Sequence, residues 1–210
     1  RKKKSDLPPG MLPKQLQGAL HSLYSSYCHA YKTYQEQIDA GYSPMPPVFI
    51  VVCSNTKVSK LVFDYIAGYE KNLDDSSTVL VPGNLDIFSN VEQNGAETRW
   101  NPRPNSLLID SQQLESGEAL SDDFKKAAAA EIAEFNDEIR QRFPGRDADK
   151  ITPEDLLREV MNTVGKPGKL GERIKCVVSV SMLTEGWDVN TVTHIMGVRA
   201  FGTQLLCEQV

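Results

Sequence analysis

Cys176-Val177-Val178-Ser179-Val180-Ser181-Met182-Leu183-Thr184-Glu185-Gly186-Trp187-Asp188 is the stretch on which the reading of this chain turns. Its first five residues form a short apolar run, the pattern of a strand buried on both faces of a parallel sheet. Gly186 then permits a backbone conformation or a close approach that a Cβ forbids, and Asp188 sets a carboxylate just beyond it. A second strand is expected from Thr193 to Val198 and a further helix from about Thr203.

Upstream, Val48-Phe49-Ile50-Val51-Val52-Cys53 is an unbroken apolar run of the same kind. Ser54-Asn55-Thr56 follows it with side chains suited to cap a helix that carries Val58, Leu61, Val62, Tyr65 and Ile66. Strand followed by helix is the first half of a βαβ unit. Shorter apolar runs stand at Thr78 to Val81 and at Ser106 to Asp110, and the polar stretch between them, with Gly83, Asn84, Asn94, Gly95, Pro102 and Pro104, reads as a loop or insertion. One helix is expected from Ser121 to Phe143, stopped by Pro144-Gly145, and another from Thr152-Pro153 to about Val164-Gly165. This alternation predicts an α/β fold with a mostly parallel sheet covered by helices on both faces.

At the other end, Leu12, Leu16, Leu20, Leu23, Tyr27, Tyr31, Tyr34 and Ile38 recur at steps of three and four, one apolar stripe on a helix from about Pro13 to Ala40. Gly41 to Pro47 is rich in breakers and reads as a linker. The expected organisation is therefore 1–47, helix and linker, and 48–210, the α/β domain.

The 210 residues suffice for one large core, and 40% apolar with 24% charged residues is ordinary for a globular protein. No apolar run approaches the roughly 20 residues that span a bilayer, so no membrane partner is expected. Four scattered cysteines without a C-x-x-C pair suit a reducing cytoplasm. Twenty-three Lys and Arg against 28 Asp and Glu leave a net charge of −5, which argues against a chain that coats itself in nucleic acid but not against one that grips a backbone at a few positions. The start, Arg1-Lys2-Lys3-Lys4, has neither an initiator Met nor a secretory signal, and the chain is read as a segment of a longer protein.

Ligands of an open parallel sheet gather at the carboxyl ends of its strands. Three candidates fall there: Ser54-Asn55-Thr56, Asp110-Ser111-Gln112, and Ser181 to Asp188. The plain alternative for each is a turn or a helix cap. Lys166, Lys169, Arg173 and Lys175 form a basic, Gly-containing loop that either binds phosphate or is simply solvated. His21, His29 and His194 lack metal-ligand spacing, and no Lys completes a nuclease site around Asp110 and Glu115. Gly165-Lys166-Pro167-Gly168-Lys169-Leu170 is too short for a G-x-x-x-x-G-K-[ST] loop and has Leu where a Mg²⁺-binding hydroxyl belongs.

Ser181 to Asp188, followed at the appropriate distance by Glu208-Gln209-Val210, resembles motif V and the beginning of motif VI of superfamily 2 helicases, and Val48 to Thr56 resembles motif IV. From Val164 to Val210 the chain looks like the Res subunit of type III restriction-modification enzymes, with a looser likeness back to Pro46. That resemblance implies the second, RecA-like (P-loop NTPase type) domain of an ATP-dependent DNA translocase, joined in its parent to a first RecA-like domain and a nuclease domain and partnered by a methyltransferase (Mod) subunit. It implies that Gly186, Asp188 and Gln209 face a nucleotide between the two RecA-like domains. It also implies that Ser54, Asn55, Thr56, Ser181 and Thr184 touch the DNA backbone, to which Lys166 and Lys169 add charge. ATP and Mg²⁺ would belong to the intact parent. The isolated chain, with no Walker A loop, no DEAD-type box and no motif VI arginines, is expected to hold no cofactor and to have no catalytic residue of its own. The competing expectations are a non-catalytic α/β interaction module and a stand-alone nucleotide-binding domain.

Overall fold

A computed structural model describes residues 8–73, 77–95, 97–110, 120, 122–142, 152–180 and 191–198. The described elements run α1 (Lys14–Asp39), β1 (Val48–Cys53), α2 (Thr56–Ala67), β2 (Gly68–Asn72), β3 (Thr78–Pro82), β4 (Val91–Asn94), β5 (Glu97–Trp100), β6 (Ser106–Ile109), α3 (Asp122–Ala127), α4 (Ala129–Arg142), α5 (Pro153–Asn162), β7 (Cys176–Val180) and β8 (Val192–Val198). Four strands form one parallel sheet in the order β6-β7-β1-β8.

The unbroken apolar runs follow from burial on both sides. Phe49, Val51 and Cys53 of β1, with Leu108, Cys176, Val178, Met196 and Val198, enter a core shared with α1 and α2. Val48, Ile50, Leu107, Ile109 and Val177 enter a second core with Phe124, Ala128 and α5. Strand order accounts for the division. The chain moves one way along the sheet from β1 to β6 and the opposite way from β6 to β7, so right-handed crossovers place the helices of these two connections on opposite faces.

The α1 stripe is the predicted one, and it lies on the sheet. Leu16, Leu20 and Tyr27 are buried, Tyr27 packs against Phe49 and Phe88, and its hydroxyl donates to the Pro47 carbonyl at 2.9 Å. Ile38, at the far end of the stripe, is 44% exposed, and the residues around it, 35–40, are exposed as well. Two local signals act as read: Asn55 Oδ1 caps α2 by accepting from Val58 N, and Thr152 and Asp155 form a reciprocal capping box with Pro153 in the first turn of α5.

Other elements differ from expectation. Thr78–Pro82 lies outside the parallel sheet and pairs antiparallel with Gly68–Asn72, a polar segment with no strand signature. This ribbon begins directly at the end of α2, where Gly68 has φ +95° and a Cβ would sit 2.6 Å from the Val81 carbonyl oxygen. The stretch expected to be loop holds the β4–β5 hairpin, whose strands are polar apart from buried Val91 and exposed Trp100, paired at its base. The single helix expected from Ser121 to Phe143 is divided into α3 and α4 at fully buried Ala128.

Among the described residues the outer side of β6 has no strand neighbour, and a side chain stands in for one. Asn90 Nδ2 donates to the Ser106 carbonyl at 2.8 Å and its Oδ1 accepts from Ser106 N at 2.9 Å, the donor–acceptor pair that a peptide group would present. Ser106 Oγ donates to the Phe88 carbonyl at 2.6 Å, and Asn90 N donates to the Ala67 carbonyl at 2.7 Å. The segment around Asn90 therefore closes the sheet edge and ties it to the end of α2.

Candidate functional site

The carboxyl edge of the sheet brings the ends of β7, β1 and β8 side by side. Cys53 is opposite Val180 on one flank and Val198 on the other, and Ser54 N donates to the Val198 carbonyl at 3.0 Å. Ile109, next along, is opposite Ser179, so Asp110 leaves β6 at the same edge. Buried Cys53 floors this edge, and burial pushes its thiol up to about 12, so the thiol stays protonated and is no nucleophile.

Between these strand ends α2 begins. Asn55 is occupied as its cap, while Ser54, Thr56 and Lys57 are exposed. A lysine in the first turn opposes the helix dipole, since that end already carries roughly half a positive charge. Lys57 makes no ion pair among the described residues. The result is a small positive surface with hydroxyls and helix N–H groups, suited to a phosphate. Lys57 was not singled out from the sequence, although its misfit with the usual acidic first turn was a readable signal.

Of the other sequence-predicted residues, Ser181, Thr184, Gly186, Asp188 and Gln209 lie outside the described residues, as do Ser111, Gln112 and Glu115. What is described is Val180, the strand end that precedes Ser181, hydrogen-bonded beside β1.

Lys166 and Lys169 stand at the opposite edge. Their loop leads into the start of β7, where Lys175 N donates to the Asn105 carbonyl and the Lys175 carbonyl accepts from Phe49 N. A six-residue strand at about 3.3 Å per residue separates the two edges by roughly 20 Å. The two basic residues and Ser54 to Thr56 therefore do not share a surface. Lys169 is also engaged, with Nζ 2.8 Å from Glu134 Oε1 and hydrogen-bonded to Glu138 Oε1; these bonds raise its pKa and pin the loop to α4.

His21 and His194 make ring contacts, while His29 is exposed. His21 Nε2 is 2.8 Å from Tyr65 Oη, and His194 stacks on Phe49 with Nε2 3.2 Å from Ser26 Oγ. Burial lowers the His194 pKa. Among the described residues no three His, Cys, Asp or Glu side chains are grouped to hold a metal ion, and no helix is long and apolar enough to cross a membrane.

No family model, curated protein or solved structure matches the chain. Fold and site geometry are thus what bear on function: a parallel sheet whose three adjacent strand ends and one helix N-terminus converge on a single exposed edge.

Proposed function

We propose that the chain is the second RecA-like domain of an ATP-dependent DNA translocase of the type III restriction kind. Its carboxyl edge would form one wall of a nucleotide cleft and part of a DNA-backbone track. The supporting observation is the adjacency of β7, β1 and β8 at that edge, because the residues resembling motifs IV and V follow two neighbouring strand ends. In this reading Ser54, Thr56 and Lys57 hold a phosphate of the tracked strand, a contact that fixes register and carries no base information. Gly186, Asp188 and Gln209 face ATP and Mg²⁺ held mainly by the first RecA-like domain. Cleft closure moves the DNA, and a methyltransferase subunit supplies site recognition.

The test uses the full-length protein that carries this domain. Asp188→Ala lowers DNA-stimulated ATP turnover by about tenfold or more, equivalent to at least ~1.4 kcal/mol of barrier. Lys57→Glu weakens DNA binding and reduces the slope of log affinity against log salt by about one. Unchanged DNA-stimulated hydrolysis in Asp188→Ala removes Asp188 from the nucleotide wall, and an unchanged salt slope in Lys57→Glu removes the α2 contact.

A further inference from the structure

A cleft of about 270 Å³ opens at the amino edge of the sheet, the end away from the proposed nucleotide wall. It lies where β1, β6 and β7 begin, between Pro46-Pro47, Asn105 and Lys175, and Tyr31 and Tyr34 of α1 form its apolar side. Its cations are not alike. Arg103 Nη1 is matched by Glu131 Oε1 at 2.8 Å, and Lys169 outside the cleft has two carboxylates. Lys175 has no carboxylate within salt-bridge distance among the described residues, although it is only partly exposed.

Lys175 is nevertheless held in place. Its Nζ donates to Asn105 Oδ1 at 2.7 Å and lies 5.6 Å from the centroid of the Tyr31 ring. Asn105 is itself fixed, since its Nδ2 donates to the Ser89 carbonyl at 2.8 Å. Burial, and then the charge of Arg173, lower the Lys175 pKa, so the protonated form lacks the counter-charge that would ease it. Glu172 also lines the cleft, at an exposed position where its Oε2 accepts from Gly168 N at 3.1 Å. Against that carboxylate, a positioned, partly desolvated ammonium with spare donors, a second cation at an exposed position and a tyrosine wall are complementary to an anion on an apolar body.

We propose that this cleft binds a small organic oxyanion, a phosphate ester or a carboxylate carried on a flat apolar group, with Lys175 as its anchor, Arg173 at its mouth and Tyr31 and Tyr34 against the apolar part. The site is independent of the translocase reading.

The test is NMR titration of the ¹⁵N-labelled 210-residue chain with phenyl phosphate, benzoate and inorganic phosphate. Phenyl phosphate or benzoate shifts the amides of Asn105, Ile174 and Lys175, and binds about tenfold or more tightly than inorganic phosphate. Preference between the two aromatic probes identifies the phosphate-ester or the carboxylate source. Lys175→Gln weakens the better probe by about tenfold or more, as expected for loss of a charge-assisted hydrogen bond. Arg173→Gln, at an exposed position that leaves packing intact, weakens it by about threefold. Absence of shifts at these amides with all three probes overturns the proposal. So does wild-type affinity in Lys175→Gln, or in Arg173→Gln should the first variant not fold.

Discussion

Replacing Asn90 by Ala deletes a side chain that is 7% exposed and removes both hydrogen bonds to the Ser106 peptide groups, in a residue that is 1% exposed. Among the described residues no strand lies beyond β6 to take over, so a buried N–H and a buried C=O lose their partners together. At about 1–3 kcal/mol for each buried group left unmade, the loss comes to roughly 2–6 kcal/mol. For a chain of this size about 3 kcal/mol corresponds to a fall in Tm of roughly 6–12 °C. Asn90→Asp is a sharper probe. Its carboxylate can still accept from Ser106 N, but it cannot donate to the Ser106 carbonyl and sets a buried charge against it. Asp is therefore expected to be no better tolerated than Ala despite its shape. Urea unfolding of the three proteins gives the free energies, and hydrogen exchange at the Ser106 amide reports the edge directly. Asn90→Ala within about 0.5 kcal/mol of wild type, with Ser106 protection unchanged, refutes the idea that this amide serves as the missing neighbour of β6.

Tyr27→Phe keeps the ring between Phe49 and Phe88 but leaves the Pro47 carbonyl without its donor, at a cost of about 1–3 kcal/mol in urea unfolding. Gly68→Ala meets both a left-handed φ of +95° and the Val81 carbonyl oxygen at 2.6 Å, and is expected to destabilise by at least ~1 kcal/mol, seen as a lower Tm. His194 has a folded pKa below its ordinary value because burial disfavours the imidazolium. The unfolded chain then binds more protons, so the stabilisation is complete above pH ~6.5 and is lost as pH falls through that value towards the folded pKa. The drop in unfolding free energy between about pH 7.5 and about pH 5.5 should be smaller in His194→Gln than in wild type; equal drops would place the pH sensitivity elsewhere.

The central sheet was legible because Val48–Cys53 and Cys176–Val180 are buried on both faces, and such strands carry their signature in a few consecutive residues. The caps at Asn55 and Thr152 were legible for the same reason, being local in sequence. The β2–β3 ribbon and the β4–β5 hairpin were not, since backbone pairing holds them and few of their side chains enter a core. That Ser54 to Thr56 follow the carboxyl end of β1 was legible from the apolar run before them. Lys57 was passed over, and the setting of Lys169 depended on two glutamates more than 30 residues away, at positions 134 and 138. At the amino-edge cleft the basic loop with Arg173 and Lys175 was legible as a possible phosphate contact, but the cleft was not, because Tyr31, Asn105 and Lys175 meet only once the strand order is known.

The seating of α1 also decides what a minimal recombinant piece must contain. A fragment starting at Val48 would lose the Tyr27 ring from Phe49 and Phe88, both fully enclosed in the whole chain, and leave them partly uncovered. Surfaces of that kind drive self-association. Work on the isolated α/β unit therefore has to carry the residues from Leu12 onward with it, even though Gly41 to Pro47 looks like the natural place to cut.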